Sequence, residues 1–139
     1  MIDVVLDTNV LVAALFKPGA PNRLALRTVL ANQHSFHICY SSQIMAEYED
    51  VLSRPAVTAR GLHEEAEALL GLIRQVGSEV VPKQVPAVVY PDADDRPFLE
   101  AAVYVGGMLL TNNLADFPFA GVAILAPEEF LAGWEARNT

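Results

Sequence analysis

Acidic side chains follow several apolar segments of this sequence, at positions where they can act together. Asp7 comes directly after the apolar segment 2–6, and Asp116 follows the apolar segment 108–110 after a short polar stretch. Glu47 lies about one turn into a predicted helix, and Asp95 opens another. Clustered carboxylates repel one another unless a cation neutralises them, and Mg²⁺ and Mn²⁺ prefer oxygen ligands. The pattern predicts a divalent-metal site formed by these four acids.

Neutral polar residues beside these acids are suited to orient them by hydrogen bonds. They are Thr8, Asn9, Thr111 and Asn113. A divalent ion at such a site polarises a phosphoryl oxygen and lowers the pKa of a bound water. The chemistry predicted is therefore phosphoester hydrolysis, and the residues alone do not separate a nuclease from a phosphatase.

Each acid also has a simpler interpretation. Asp7 and Asp95 can serve as helix N-caps, and Asp116 can be an ordinary turn residue. Glu47 can be a solvated helix residue, although it lies at the margin of the apolar stripe of its helix. These alternatives stay open at the level of sequence.

The elements that must position these acids alternate along the chain. Nearly continuous apolar strands separated by helices are typical of a parallel sheet covered on both faces. We therefore predict an α/β protein, a three-layer α/β/α sandwich with a central, mostly parallel sheet, as a single domain over 1–139. Ligands of such sheets bind beyond the carboxyl ends of the strands. The predicted strands are 2–6, 36–40, 79–81, 88–90, 108–111 and 122–125, and the predicted helices are about 10–16, 22–30, 42–52, 62–76, 97–105 and 127–134.

Composition limits the class of protein. Hydrophobic residues make up 53% of the 139, which excludes a disordered chain. No apolar run reaches the roughly 18–20 residues that span a bilayer, and the N-terminus lacks the basic segment of a signal peptide, so we expect a cytoplasmic protein and no membrane partner. The net charge of −8 argues against nucleic acid binding unless the surplus acids lie in one cation-filled cleft.

The cysteine and the histidines are assigned no chemistry at this stage. Cys39 is the single cysteine, lies in the apolar segment 36–40 and is interpreted as a buried side chain. His34, His37 and His63 lack the spacing of a metal site and are interpreted as structural or surface residues.

Four segments in order resemble the signature motifs of the PIN-domain family, the fold of VapC-type toxin nucleases. They are 4–12 with its Asp-Thr-Asn turn, 42–47 ending in a glutamate, 92–102 with an acid opening a helix, and 111–117 with a Thr-x-Asn-x-x-Asp-Phe pattern. The resemblance extends from about residue 2 to residue 131.

The resemblance implies cleavage of single-stranded RNA with Mg²⁺ or Mn²⁺, a homodimer, and inhibition by a small antitoxin protein. It assigns the metal ligands to Asp7, Glu47, Asp95 and Asp116, Asp95 being chosen for its spacing to the apolar residues that follow. Two residues depart from the family pattern. Pro97 lies inside the third motif, and Asn113 stands where many members have an aspartate.

Two alternatives remain. A haloacid-dehalogenase-like phosphatase also uses a strand-end aspartate with Mg²⁺, but it needs a second acid two residues later, where this chain has Asn9. A non-catalytic PIN-like binding module with a degenerate metal site would explain the acidic surface and Asn113. Retention of all four acids favours the enzyme.

Overall fold

The computed structural model describes residues 1–83, 93–117 and 121–138. Its strands are β1 (Ile2–Leu6), β2 (Phe36–Tyr40), β3 (Ser78–Glu79), β4 (Met108–Leu110) and β5 (Ala123–Leu125). Its helices are α1 (Thr8–Phe16), α2 (Pro21–Ala31), α3 (Ser42–Leu52), α4 (Pro55–Thr58), α5 (His63–Val76), α6 (Arg96–Val105) and α7 (Pro127–Arg137). The strand expected at 88–90 lies outside the described residues.

The five strands form one sheet in the order β3-β2-β1-β4-β5, and every pairing is parallel. The chain moves from β1 outward to β2 and β3, then returns to the other side of β1 and continues to β5. The order therefore reverses between β1 and β4, which is where open parallel sheets form a crevice for ligands. Asp7 follows β1 and Thr111 follows β4, so both flank this crevice.

Helices cover the sheet in two groups. Helices α1, α2 and α7 contact one another in series, and α3 contacts both α5 and α6. The central strand β1 is completely buried at Val4, Val5 and Leu6, the apolar residues that follow Asp3. The predicted α/β/α sandwich with a parallel sheet is confirmed.

The bounds of the elements differ in places from the predicted ones, and local chemistry sets two of these bounds. Strand β3 covers two residues, so the segment predicted at 79–81 is shorter and begins one residue earlier. Pro55 occupies the first turn of the short helix α4, where its missing N–H costs no hydrogen bond. Gly106 ends α6 with φ 64°, a left-handed conformation that favours glycine.

Two close contacts hold β1 against its neighbours. The Tyr48 hydroxyl on α3 donates to the Leu6 carbonyl at 2.5 Å, which holds α3 against the end of β1. Gly107, directly before β4, approaches Asp3 so closely that a Cβ atom there would overlap the Asp3 carbonyl oxygen. Within the part of the chain that the structure describes, no helix is long and apolar enough to cross a membrane.

Candidate active site

Asp7 is the most buried acid of the crevice, with 6% of its surface exposed. Its Oδ2 accepts hydrogen bonds from the Thr111 hydroxyl at 2.7 Å and from Asn9 Nδ2 at 3.1 Å. Asp7 occupies the N-cap position of α1, but its side chain makes no capping hydrogen bond. The backbone N–H groups of Thr8 and Asn9 also interact with this carboxylate, so Asp7 is held both by neighbouring side chains and by the start of α1.

Glu47 lies on α3, and its half-buried side chain reaches the same crevice. Its Oε2 accepts a hydrogen bond from the hydroxyl of Thr8, the residue next to Asp7. The following residue, Tyr48, is hydrogen-bonded to the end of β1. This bond holds α3, and with it Glu47, beside Asp7. Glu47 lies at the margin of the apolar stripe of α3, and its side chain therefore lines the same cleft as Asp7.

Asp94 and Asp95 lie in a 3-10 turn, Ala93–Asp95, that leads into α6. Asp95 is partly buried and Asp94 is exposed, and both line the cleft that also contains Asp7 and Glu47. Asp95 makes no side-chain capping bond to α6. The sequence analysis chose Asp95 for its spacing to the apolar residues of α6 and did not select Asp94. The acid-rich segment 92–95 was the signal that could have indicated Asp94.

Asp116 ends a 3-10 turn, Leu114–Asp116, beyond β4 and is partly buried. It does not line the cleft, yet its charge acts on Asp7. Of the neighbouring asparagines, Asn113 contributes its backbone N–H to the Thr111 hydroxyl at 3.0 Å, and its side chain is exposed. Thr8, Asn9 and Thr111 therefore contact the acids directly, whereas Asn113 supports one of them through Thr111.

The electrostatics of the crevice are those of crowded acids. Burial raises the pKa of Asp7 above its ordinary value, against the lowering effect of its hydrogen bonds, and the charge of Asp116 raises it further. Burial likewise raises the pKa of Glu47, with contributions from the charges of Asp7 and Asp94. A cation in the crevice would stabilise the ionised carboxylates, because its charge offsets both the cost of burying them and the repulsion between them.

The cleft around these acids has a volume of about 540 Å³. The apolar part of its lining comes from α1 and α3, and two exposed cationic side chains also line it. Its lining comprises the acidic and polar residues Asp7, Thr8, Asn9, Glu47, Asp94 and Asp95, the apolar residues Val12, Ala13, Phe16 and Val51, and the cations Lys17 and Arg54.

The tightest group of metal-ligating atoms lies elsewhere. Among the described residues, the group whose ligand atoms all lie within 4.8 Å of one another is Asp3, His37 and Cys39; no three of the four predicted acids form a group this compact. Sequence reasoning missed this group, because Asp3 is brought to His37 only by the pairing of β1 with β2.

Comparison with known proteins identifies the family. A model of the PIN domain matches residues 3–115. The chain belongs to the PIN-domain family. No curated protein matches the chain.

Solved structures extend the likeness to nearly the whole fold of this PIN domain. One match is a chain of VapBC2 from Rickettsia felis, in a crystal structure with a bound DNA fragment from the VapBC2 promoter. This chain matches with a TM-score of 0.61 and 16% identity, and the match covers 90% of our chain and 98% of the VapBC2 chain. A chain of FitAB bound to IR36 DNA matches with a TM-score of 0.59 and 19% identity, covering 89% and 94%. At these identities the likeness establishes the fold.

Proposed function

We propose that this PIN-domain protein is a divalent-metal-dependent endoribonuclease that cleaves single-stranded RNA. The observation that carries the proposal is the meeting of Asp7 and Glu47 in one cleft at the point where the strand order reverses. The hydrogen bond from Thr8 to Glu47, between residues 39 apart in the chain, joins the two elements that supply these acids.

The donor set of the cleft fits Mg²⁺ or Mn²⁺. Carboxylate oxygens are the ligands that these hard ions prefer, and the raised pKa values of Asp7 and Glu47 indicate acids that gain from a cation. The proposed ligands are Asp7, Glu47 and Asp95, which line the cleft, and Asp116, which lies outside its lining and whose charge acts on Asp7. When bound, the ion supplies charge stabilisation at the phosphoryl group and activation of the attacking water.

The chain's own residues orient the ligands. Thr111 and Asn9 fix the Asp7 carboxylate from two sides, and Thr8 fixes Glu47. Thr111 is itself held by the Asn113 backbone. Removing such supporting groups typically costs about 10- to 100-fold in metal affinity or activity.

Charged side chains of the cleft support a nucleic acid as the substrate. Lys17 and Arg54 line the cleft and are exposed, so phosphates can reach them. Arg54 forms an exposed ion pair with Asp50 at 2.7 Å, which a phosphate can replace. Phe16 lies in the apolar part of the lining, and its ring is already stacked against a cation, with the Arg60 guanidinium 4.0 Å from the ring centre. The single-stranded form of the substrate is proposed from the family.

The physiological setting is proposed from family and fold. We infer a cytoplasmic toxin that acts as a homodimer and is inhibited by a small antitoxin protein, in keeping with the VapBC and FitAB assemblies that share the fold. Co-expression with the product of a neighbouring small gene, followed by size-exclusion chromatography, tests it. The expected result is a complex that is inactive on RNA; separate elution of two monomeric proteins would contradict it.

Cleavage of labelled single-stranded RNA tests the nuclease itself. Wild type should cut with Mn²⁺ or Mg²⁺ and not with a chelator. Asp7→Asn and Glu47→Gln should each lose about a hundredfold or more, because a metal supplies several kcal/mol of transition-state stabilisation. The matched control is Glu67→Gln on the exposed face of α5, which should cut as wild type does. Cutting that persists in chelator, or equal rates in Asp7→Asn, would overturn the proposal.

Two observations favour a second candidate, a non-catalytic PIN-like binding module. The four acids are less compact than a preformed metal site, and Asn113 stands in place of an acid. This candidate predicts RNA binding without cutting, and metal affinity unchanged by Asp7→Asn. The same set of variants therefore distinguishes the two functions.

A further inference from the structure

We propose a second metal site in this protein, a zinc site formed by Asp3, His37 and Cys39. The three residues lie on neighbouring strands, Asp3 on β1 and the other two on β2. Parallel pairing places Asp3 opposite His37, and Cys39 is two residues further along β2 on the same face of the sheet. The side chains of His37 and Asp3 are 29% and 35% exposed, so an ion can reach them, whereas Cys39 is buried.

The distances among the three ligand atoms fit one tetrahedral ion. His37 Nδ1 lies 3.1 Å from Asp3 Oδ1, and Cys39 Sγ lies 3.7 Å from that oxygen and 3.8 Å from that nitrogen. Zinc bonded to nitrogen and oxygen at about 2.0–2.1 Å and to sulfur at about 2.3 Å separates these ligands by roughly 3.3 Å and 3.6 Å in a tetrahedron. Small movements of the side chains would therefore accommodate the ion.

The other nitrogen of His37 supports the same site. His37 Nε2 lies 2.9 Å from the Ser78 hydroxyl on β3. A histidine that binds metal through one nitrogen usually donates its other N–H to an acceptor, which fixes the ring and its tautomer. Ser78 supplies that acceptor, and the bond leaves Nδ1 directed at Asp3 and Cys39.

The choice of zinc follows from the chemistry of the ligands. A thiolate, an imidazole and a carboxylate form a mixed set that zinc accepts, whereas Mg²⁺ and Ca²⁺ prefer oxygen alone. Binding replaces the thiol proton, which passes to solvent, with a sulfur–zinc bond. Three protein ligands leave a fourth position for water on the exposed side of Asp3 and His37.

This site is separate from the crevice of acids. Asp3 lies on β1 and Asp7 directly follows the end of this strand in extended conformation, so the two residues are about 13 Å apart. The proposed ribonuclease activity and the zinc site are therefore testable independently. An ion that links β1 to β2 would stabilise the folded sheet through the same strands that position Asp7.

Titration of the metal-free protein with Co²⁺ tests the proposal. Tetrahedral Co²⁺ absorbs visible light, and a thiolate ligand adds a charge-transfer band in the near ultraviolet. Because Cys39 is the only cysteine in the chain, such a band must come from it. The expected result is a thiolate charge-transfer band that grows with added Co²⁺ to a plateau and disappears when Zn²⁺ displaces the cobalt; the acids of the crevice contain no thiolate and cannot give this band.

Variants at the partly exposed ligands distinguish metal binding at this site from metal binding elsewhere in the protein. His37→Ala and Asp3→Asn should lose the charge-transfer band while circular dichroism shows a folded protein. Ser78→Ala should weaken Zn²⁺ binding by about 10- to 100-fold. His34→Ala, at an exposed histidine, and Asp7→Asn are the controls and should retain the band. Absence of a thiolate band in wild type, or a band unchanged in His37→Ala, would overturn the site.

Discussion

At the scale of single residues, the fold disfavours ionisation of the Asp7 carboxyl group. Its pKa is raised above the ordinary 3.8, chiefly by burial, so the folded protein binds the Asp7 proton more tightly than the unfolded chain does. The stabilising contribution is present below that ordinary value and is lost as pH rises through the higher pKa of the folded state. At neutral pH the ionised Asp7 therefore costs stability in the absence of metal.

Asp7→Asn should accordingly raise the free energy of unfolding in chelator at neutral pH. The gain should shrink as pH falls through the raised pKa of Asp7, because the wild-type carboxyl then becomes protonated as well. Urea denaturation at neutral pH and across the acidic range measures it, with Glu67→Gln as the exposed control. A loss of stability at neutral pH would mean that the hydrogen bonds from Thr111 and Asn9 outweigh burial.

At the scale of elements, the start of β4 depends on one glycine. A Cβ atom at Gly107 would overlap the backbone of Asp3, so alanine there must push β4 away from β1. Overpacking of this kind typically costs about 1–3 kcal/mol. We expect Gly107→Ala to lower the free energy of unfolding by that amount and to weaken the Thr111 to Asp7 contact across the same two strands.

Gly133→Ala is the matched control for this prediction. Gly133 lies in the exposed interior of α7, and a Cβ atom at this position would have nothing within 4 Å. Alanine is the better helix former, so this change should stabilise the protein by about 0.5–1 kcal/mol. Urea denaturation of both variants is the measurement, and equal effects of the two would contradict a packing role for Gly107.

At the scale of the whole molecule, a net charge of −8 sets how RNA is bound. The acidic surplus disfavours phosphate binding by the molecule as a whole, so we expect affinity to come from cations in the cleft and from Lys17 and Arg54. Each phosphate contact on a single strand contributes about 0.7 to the salt dependence of the logarithm of affinity.

Lys17→Ala and Arg54→Ala should therefore weaken RNA binding and each reduce the salt slope by about 0.7. Fluorescence anisotropy at several salt concentrations, with metal present and a non-cleavable RNA, measures both. Arg137→Ala on α7 is the control, because Arg137 packs near Trp134 and does not line the cleft. An unchanged slope in the cleft variants would place the RNA on another surface.

The sequence by itself determined the order of the elements and the candidate acids. Apolar strands and amphipathic helices are local patterns, so β1, β2 and α3 were predicted with the bounds that the structure has. The acids at the ends of these elements were found for the same reason, since a parallel sheet brings its carboxyl ends together.

Only the tertiary structure decided which side chains meet. The contact of Thr111 with Asp7 spans 104 residues, and that of Asp3 with His37 spans 34. Such contacts depend on strand order and register, which no local spacing encodes. For this reason the sequence predicted acids of which Asp7, Glu47 and Asp95 line one cleft. It did not predict the group of Asp3, His37 and Cys39, whose members share a face only after β1 and β2 have paired.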